Sequence, residues 1–217
     1  MNNDFKYILF DLDGTITDSG EGITKAVQYS LKYFDILVEN IDDLRKFIGP
    51  PLRDSYIKFY GFDNEKAELG IIKFREYYAD KGIFENKLYD GIVTVLEELN
   101  KNNKEIILAT SKPELYAKQI LKHFNIDKYF SVIAGADFEE TRVNKSDVIK
   151  YALNQVHIEN LSEAIMIGDR EHDIIGAKEN NIKSIGVLYG FGDVIELTQA
   201  RADYIVKNTT DLLNIIL

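Results

Sequence analysis

Cysteine is absent from the 217-residue chain, which removes disulfides, thiolate metal sites and thiol catalysis together and fits a reducing compartment. Basic charge is also in short supply: Lys and Arg number 26 against 36 Asp and Glu, a formal net charge of −10. A broad attraction to nucleic-acid backbone or an anionic membrane is therefore excluded, and an anionic ligand has to be captured by local positive charge. No apolar run approaches the roughly 20 residues of a membrane span, and the opening MNNDFKYILF has neither a long apolar stretch nor a small-residue cleavage site. Internal repeats and low-complexity tracts are missing too. The expectation is a soluble, cytoplasmic protein with neither a nucleic-acid polymer nor a membrane as partner.

What is present suits a folded chain throughout, with 45% apolar and 29% charged residues. Its length exceeds the roughly 100–150 residues of a common single domain, so one large domain or a core with a smaller unit is expected. Short apolar runs of strand length occur at KYILF (6–10), EIILAT (105–110), SVIAG (131–135), AIMIG (164–168), SIGVL (184–188) and DYIV (203–206). From Thr94 onward they alternate with helix-period segments, among them PELYAKQILKHF, where Pro113 suits a helix start. Alternation of this kind predicts an α/β fold, a Rossmann-like parallel sheet wrapped by helices.

Residues 20–82 read differently. EGITKAVQYSLKYF, IDDLRKFI, RDSYIKFY and EKAELGIIKFREYYADKG are helical in period, with breaks at GPPL and GFDN and no strand between them. This predicts an all-helical insert over 18–82 within a core formed by 1–17 and 83–217. Its aromatics, Tyr29 and Tyr33, then Phe74, Tyr77 and Tyr78, fall at helical spacing and are expected to pack its helices together. Gly20 and Gly82 bracket the insert as candidate hinges.

The chemistry concentrates at the ends of the strands. In YILFDLDGT the carboxylates of Asp11 and Asp13 stand two residues apart, so in extended chain they point the same way, just beyond a buried strand. Ligands of open α/β sheets sit at that carboxyl edge. Later strands add partners: Thr110 and Ser111 close EIILATS as hydroxyl and backbone donors for phosphate oxygens, VNKSDVI offers Lys145, and AIMIGDREHD offers Asp169 and Asp173. Singly, each has a structural explanation as a turn, cap or surface residue. Together and in this order, they resemble the haloacid dehalogenase superfamily of phosphohydrolases over essentially the whole chain. The GEGIT, IGPPL, ATSKP and IGDREHDIIGA segments look closest to the subgroup with a helical cap that includes phosphoglycolate phosphatases and some 5′-nucleotidases.

That resemblance implies a phosphatase acting on small phosphate monoesters through an aspartyl-phosphate. Asp11 is then the nucleophile, which splits one hard displacement into two easier ones. Asp13 serves as general acid and then base. A phosphate monoester carries about −1.5 to −2 charge, and two like charges 4 Å apart repel by about 4 kcal/mol at an effective dielectric of 20. Cations must therefore compensate. An all-oxygen site suits Mg²⁺, with Asp11, the Asp13 carbonyl and Asp169 as ligands and Asp173 orienting the shell. Lys145 supplies the second positive charge, while Thr110 and Ser111 hold the remaining phosphate oxygens.

Substrate choice is less determined. Arg53, after the rigid Gly49-Pro50-Pro51-Leu52 loop, is a candidate for a substrate carboxylate or phosphate, or else an arginine on a solvated helix face. Phosphoglycolate would want a compact cationic pocket and a nucleoside 5′-monophosphate an aromatic surface. Asp13 favours phosphoryl transfer over carbon–halogen cleavage. Gly168 preceding Asp169, and a first helix without histidine, favour a phosphatase over a sugar-phosphate mutase. Lys25 and Lys32 leave a carbon–phosphorus hydrolase open, a non-catalytic protein of the same fold remains an alternative, and His172 is expected to face solvent.

Overall fold

The structure, a computed structural model, describes residues 5–137, 142, 144–156, 158 and 160–217. Two compact units emerge from it: Met1–Thr17 together with Leu88–Leu217, and Asp18–Lys87.

The second unit is helical because its apolar residues recur at helical spacing and its breakers fall between the helices. Helix α1 (Gly20–Tyr33) buries Ala26, Val27, Ser30 and Leu31 along one stripe, and α3 (Asn64–Tyr77) buries Ala67, Gly70, Ile71 and Phe74. Between them lies α2 (Leu52–Tyr60), which ends on Gly61 in the left-handed conformation before Asp63 caps α3. Ser30 Oγ donates to the Gly70 carbonyl at 2.7 Å, and Tyr56 stacks on Phe62 with ring centroids 5.5 Å apart. Two segments depart from the simple helical reading. IDDLRKF (Ile41–Phe47) winds as a 3₁₀ helix, with the Gly-Pro-Pro that follows blocking its extension. Tyr78–Gly82 forms a π-helical turn. There the chain runs so close to α1 that a Cβ on Gly22 would lie 1.9 Å from the Gly82 carbonyl oxygen. Phe74 and Tyr78 are buried and stacked on each other, and Tyr29 of α1, though exposed, meets Tyr77 of α3 with ring centroids 5.7 Å apart as expected, whereas Tyr33 is exposed.

In the other unit, YILF forms β1 (Tyr7–Phe10), three of its four residues buried. Two-residue strands β2 (Thr17–Asp18) and β3 (Lys87–Leu88) pair with each other. Strands β4 (Glu105–Pro113), β5 (Phe130–Ala136), β6 (Ala164–Gly168), β7 (Lys183–Val187) and β8 (Tyr204–Val206) join β1 in a sheet of order β5-β4-β1-β6-β7-β8. The pairings are parallel, and Tyr7 aligns with Glu105 on one side and Ala164 on the other. Strand order thus reverses about β1. A crevice opens at the carboxyl ends of strands at such a switch point, here β1, β4 and β6.

The helices of this unit are α4 (Ile92–Lys101), α5 (Glu114–His123), α6 (Lys145–Gln155), α7 (Glu171–Glu179), α8 (Val194–Gln199) and α9 (Asp211–Ile216). Side chains alternate across the pleat, so Leu9, Ile107, Ala109, Ala164 and Met166 share one core with Val148, Ile149 and Ala152 of α6 and Ala177 of α7. That core anchors α6, whose first residue is Lys145. Helices α4, α5 and α7 are each followed, two residues past the last helical one, by an asparagine with positive φ, at Asn103, Asn125 and Asn181, the residue other than glycine that best tolerates this conformation.

Candidate active site

The end of β1 is pinned before it turns. Asp11 N–H donates to the Ile167 carbonyl of β6 at 2.9 Å, and the N–H groups of Ile16 and Thr17 both reach back to the Leu12 carbonyl at 2.9 Å. The resulting tight turn passes through Gly14 at φ +87°, where a Cβ would sit 2.1 Å from Asp169 Oδ2. Glycine is required there twice over, by backbone conformation and by the carboxylate beside it.

Asp169 follows β6, is fully buried, and accepts from the Phe191 N–H at 2.7 Å through Oδ2. Its Oδ1 is buried without a hydrogen-bond partner. Asp173 lies in the first turn of α7, where its Oδ2 accepts from the N–H of the N-cap residue Arg170 at 3.1 Å. Lys145 lies between the carboxylates: its Nζ is 2.7 Å from Asp11 Oδ1 and 2.8 Å from Asp173 Oδ1, and donates to the Ala109 carbonyl at 3.1 Å. The carboxylate oxygens of Asp11, Asp169 and Asp173 come within 4.8 Å of one another.

The electrostatics follow from this crowding. Burial pushes the Asp11 carboxyl above its ordinary range, against the pull of Lys145, and burial together with Asp173 and Asp11 pushes Asp169 well above it. Burial disfavours the Lys145 ammonium, but Asp11 and Asp173 outweigh it and hold the group protonated above its usual range. Half-buried His172 is pushed down by burial. Three buried carboxylates thus face one ammonium, and Asp169 Oδ1 is left with no donor. A hard divalent cation fits this set in both charge and donor chemistry.

The remaining sequence candidates distribute as follows. Thr110 and Ser111 lie inside β4, which runs on to Pro113, so they belong to the strand and Pro113 caps α5. Thr110 is buried and its hydroxyl lies within hydrogen-bonding reach of Asp11. Asp13 is not part of the carboxylate cluster; its side chain pairs with Lys112, Nζ to Oδ2 at 2.9 Å. Arg53 lies in the helical unit, where it pairs with Glu68 at 2.7 Å. Sequence reasoning passed over Lys112 and Phe191. No sequence signal marks Lys112, because β4 slips register against β5 between Ala109 and Pro113 and simple alternation does not hold there. A backbone N–H at Phe191 leaves no mark in the sequence.

The sheet is parallel, its loops after the adjacent strands β1 and β6 carry buried carboxylates, and a buried lysine stands between them, so the cluster occupies the ligand crevice of an open α/β fold. The family model for haloacid dehalogenase-like hydrolases matches residues 8–187. A 5′-nucleotidase of Pseudomonas aeruginosa is 41% identical over 190 residues, 88% of this chain and 86% of that protein. The tyrosine-protein kinase PtkA of Mycobacterium tuberculosis is 37% identical over 204 residues, 94% of this chain and 66% of that protein. Among solved structures, a predicted phosphatase from Clostridium acetobutylicum superposes with a TM-score of 0.92 at 51% identity, covering 96% of each chain. The chain belongs to the haloacid dehalogenase-like hydrolase family.

Proposed function

We propose that this phosphoric monoester hydrolase uses Mg²⁺ and an aspartyl-phosphate intermediate to release phosphate from small monoesters. Nucleoside 5′-monophosphates come first as substrate class and phosphoglycolate second. The observation that carries the reading is the contact of Lys145 with both Asp11 and Asp173, beside an Asp169 oxygen that has no donor. Such a group of charges is costly to bury, and groups of this kind cluster at functional sites.

Asp11 attacks phosphorus, and its oxygen–phosphorus bond forms as the bond to the leaving oxygen breaks. Asp13 gives that oxygen a proton, then recovers one from the water that cleaves the acyl phosphate. Lys145 holds Asp11 in place and offsets charge on the phosphoryl oxygens, while Thr110 and the Ser111 N–H bind those that remain. Asp11, the Asp13 carbonyl and Asp169 would hold Mg²⁺, with Asp173 positioning the set through Lys145 and the α7 cap. When bound, the cation neutralises the approaching phosphate and draws charge from it in the transition state. The nucleotidase relative at 41% identity supports the substrate order, a phosphoglycolate phosphatase of Pseudomonas aeruginosa being 27% identical.

The test is phosphate release with Mg²⁺ or with EDTA from nucleoside monophosphates, phosphoglycolate, sugar phosphates and an aryl phosphate, beside Asp11→Asn. Metal-dependent release that disappears in the variant is expected, with a nucleoside 5′-monophosphate turned over fastest. Full activity of Asp11→Asn would overturn the mechanism, and preference for another ester would overturn the substrate order.

A further inference from the structure

Lys112 is a buried lysine for which the reaction just described has no use. Its side chain is 6% exposed, its ammonium lies 2.9 Å from Asp13 Oδ2, and its own N–H donates to the Thr110 hydroxyl at 3.3 Å. The other oxygen of the same carboxyl, Asp13 Oδ1, is buried and has no hydrogen-bond partner. The two oxygens of Asp13 are therefore inequivalent, one occupied and one vacant.

An ammonium has three donors and no acceptor. An oxygen that faces it can only accept, so a proton carried by Asp13 is excluded from Oδ2 and must sit on Oδ1. We infer that Lys112 is a positioning residue for proton transfer: it occupies Oδ2 of Asp13, fixes the carboxyl plane, and thereby selects Oδ1 as the oxygen that protonates the leaving group. In the first half-reaction the Oδ1–H bond breaks as the leaving oxygen takes the proton and its bond to phosphorus is lost. In the second, Oδ1 recovers a proton from water as the new oxygen–phosphorus bond forms and Asp11 departs. Lys112 changes neither bonds nor charge in either step. Strand β4 slips register against β5 between Ala109 and Pro113, and within that irregular stretch the chain turns back through the Lys112 N–H to the Thr110 hydroxyl, which brings the lysine to Asp13.

This inference rests on the proposed role of Asp13, and leaving-group dependence separates the two. An alkyl phosphate, such as a nucleoside 5′-monophosphate, expels a poor leaving group that needs its proton; p-nitrophenyl phosphate expels a stable phenolate that does not. The ratio kcat/KM reports only the steps through leaving-group departure, so it isolates the acid role. Lys112→Met is expected to lower kcat/KM about 10²-fold on the alkyl ester, within the range of general acid catalysis, and only a few-fold on the aryl ester. A loss of structure would lower both alike. Lys112→Gln keeps a polar group of similar reach that both donates and accepts; it should fold as the wild type does and show the same selectivity at smaller amplitude. Asp13→Asn, run in parallel, should show the selectivity in full. Equal losses on the two esters for both Lys112 variants, beside a selective loss for Asp13→Asn, would overturn the inference alone. Equal losses for Asp13→Asn as well would overturn the role of Asp13 and the inference with it.

Discussion

Alanine at Gly14 should damage the site far more than a single methyl group suggests. Two costs combine. At φ +87° an L-residue is strained by about 1–2 kcal/mol. The new Cβ would also lie 2.1 Å from Asp169 Oδ2, where ordinary contact begins at 3.4 Å, so the carboxylate has to retreat by about 1.3 Å. That retreat sacrifices the 2.7 Å bond from the Phe191 N–H, a hydrogen bond to a charged group worth about 1.5–3 kcal/mol. The total destabilisation is about 2.5–5 kcal/mol, and a displacement on the order of 1 Å in a reacting group lowers turnover about 10²-fold. Gly61 provides the matched control: its φ is +65° and nothing lies within 4 Å of its Cβ position, so Gly61→Ala carries the strain without the collision. It should lose about 1–2 kcal/mol and no activity. Urea denaturation gives the stabilities, and phosphate release at saturating Mg²⁺ gives turnover. Equal destabilisation of the two variants, or wild-type turnover in Gly14→Ala, would refute the claim that Asp169 is held by contact with this turn.

Two further substitutions probe charge and packing. Lys145→Met leaves Asp11 and Asp173 buried without their shared cation, so it should cost about 3–5 kcal/mol in EDTA and a smaller amount in Mg²⁺, read from thermal melts in each buffer. An equal loss in the two buffers would mean that no cation binds among these carboxylates. Gly22→Ala forces α1 away from the Gly82 carbonyl, against which a Cβ would lie 1.9 Å, and should destabilise the helical unit by about 2–3 kcal/mol; a urea midpoint matching the wild type would contradict that packing.

The sheet was legible because its inner strands β1, β4, β6 and β7 are largely buried and so read as unbroken apolar runs. AIMIG coincides with β6, and the other five runs lie within a residue or two of their strands, apart from β4, which continues through Ser111-Lys112-Pro113. Local period reveals that a segment is helical without fixing its winding. The Gly-Pro-Pro beyond Ile41–Phe47 stops that segment without setting its 3₁₀ winding, and the π turn at Tyr78–Gly82 accompanies the approach of another helix. Asp11, Lys145, Asp169 and Asp173 could be collected in advance because each stands at the end of a strand or the start of a helix, positions that point at the crevice whatever the packing. Lys112 was passed over because a buried lysine and an exposed one look alike in sequence. Only its distance from Asp13 distinguishes it.

The central place of β1 also governs when the molecule can be completed. Its partners are β4, where Tyr7 aligns with Glu105, and β6, where it aligns with Ala164. During synthesis at about 5–20 residues per second, the intervening chain to Ala164 takes roughly 8 to 30 seconds to follow Tyr7, and for that time YILF has no second partner strand. Pairing over such separations is slow because loop closure must come before any contact compensates for it. Strand β1 therefore waits long after its own synthesis to become fully paired, and the carboxylates around Lys145 are brought together in that same late event. Mutations that slow the docking of β6 should accordingly lower the yield of soluble enzyme before they alter the enzyme that does fold.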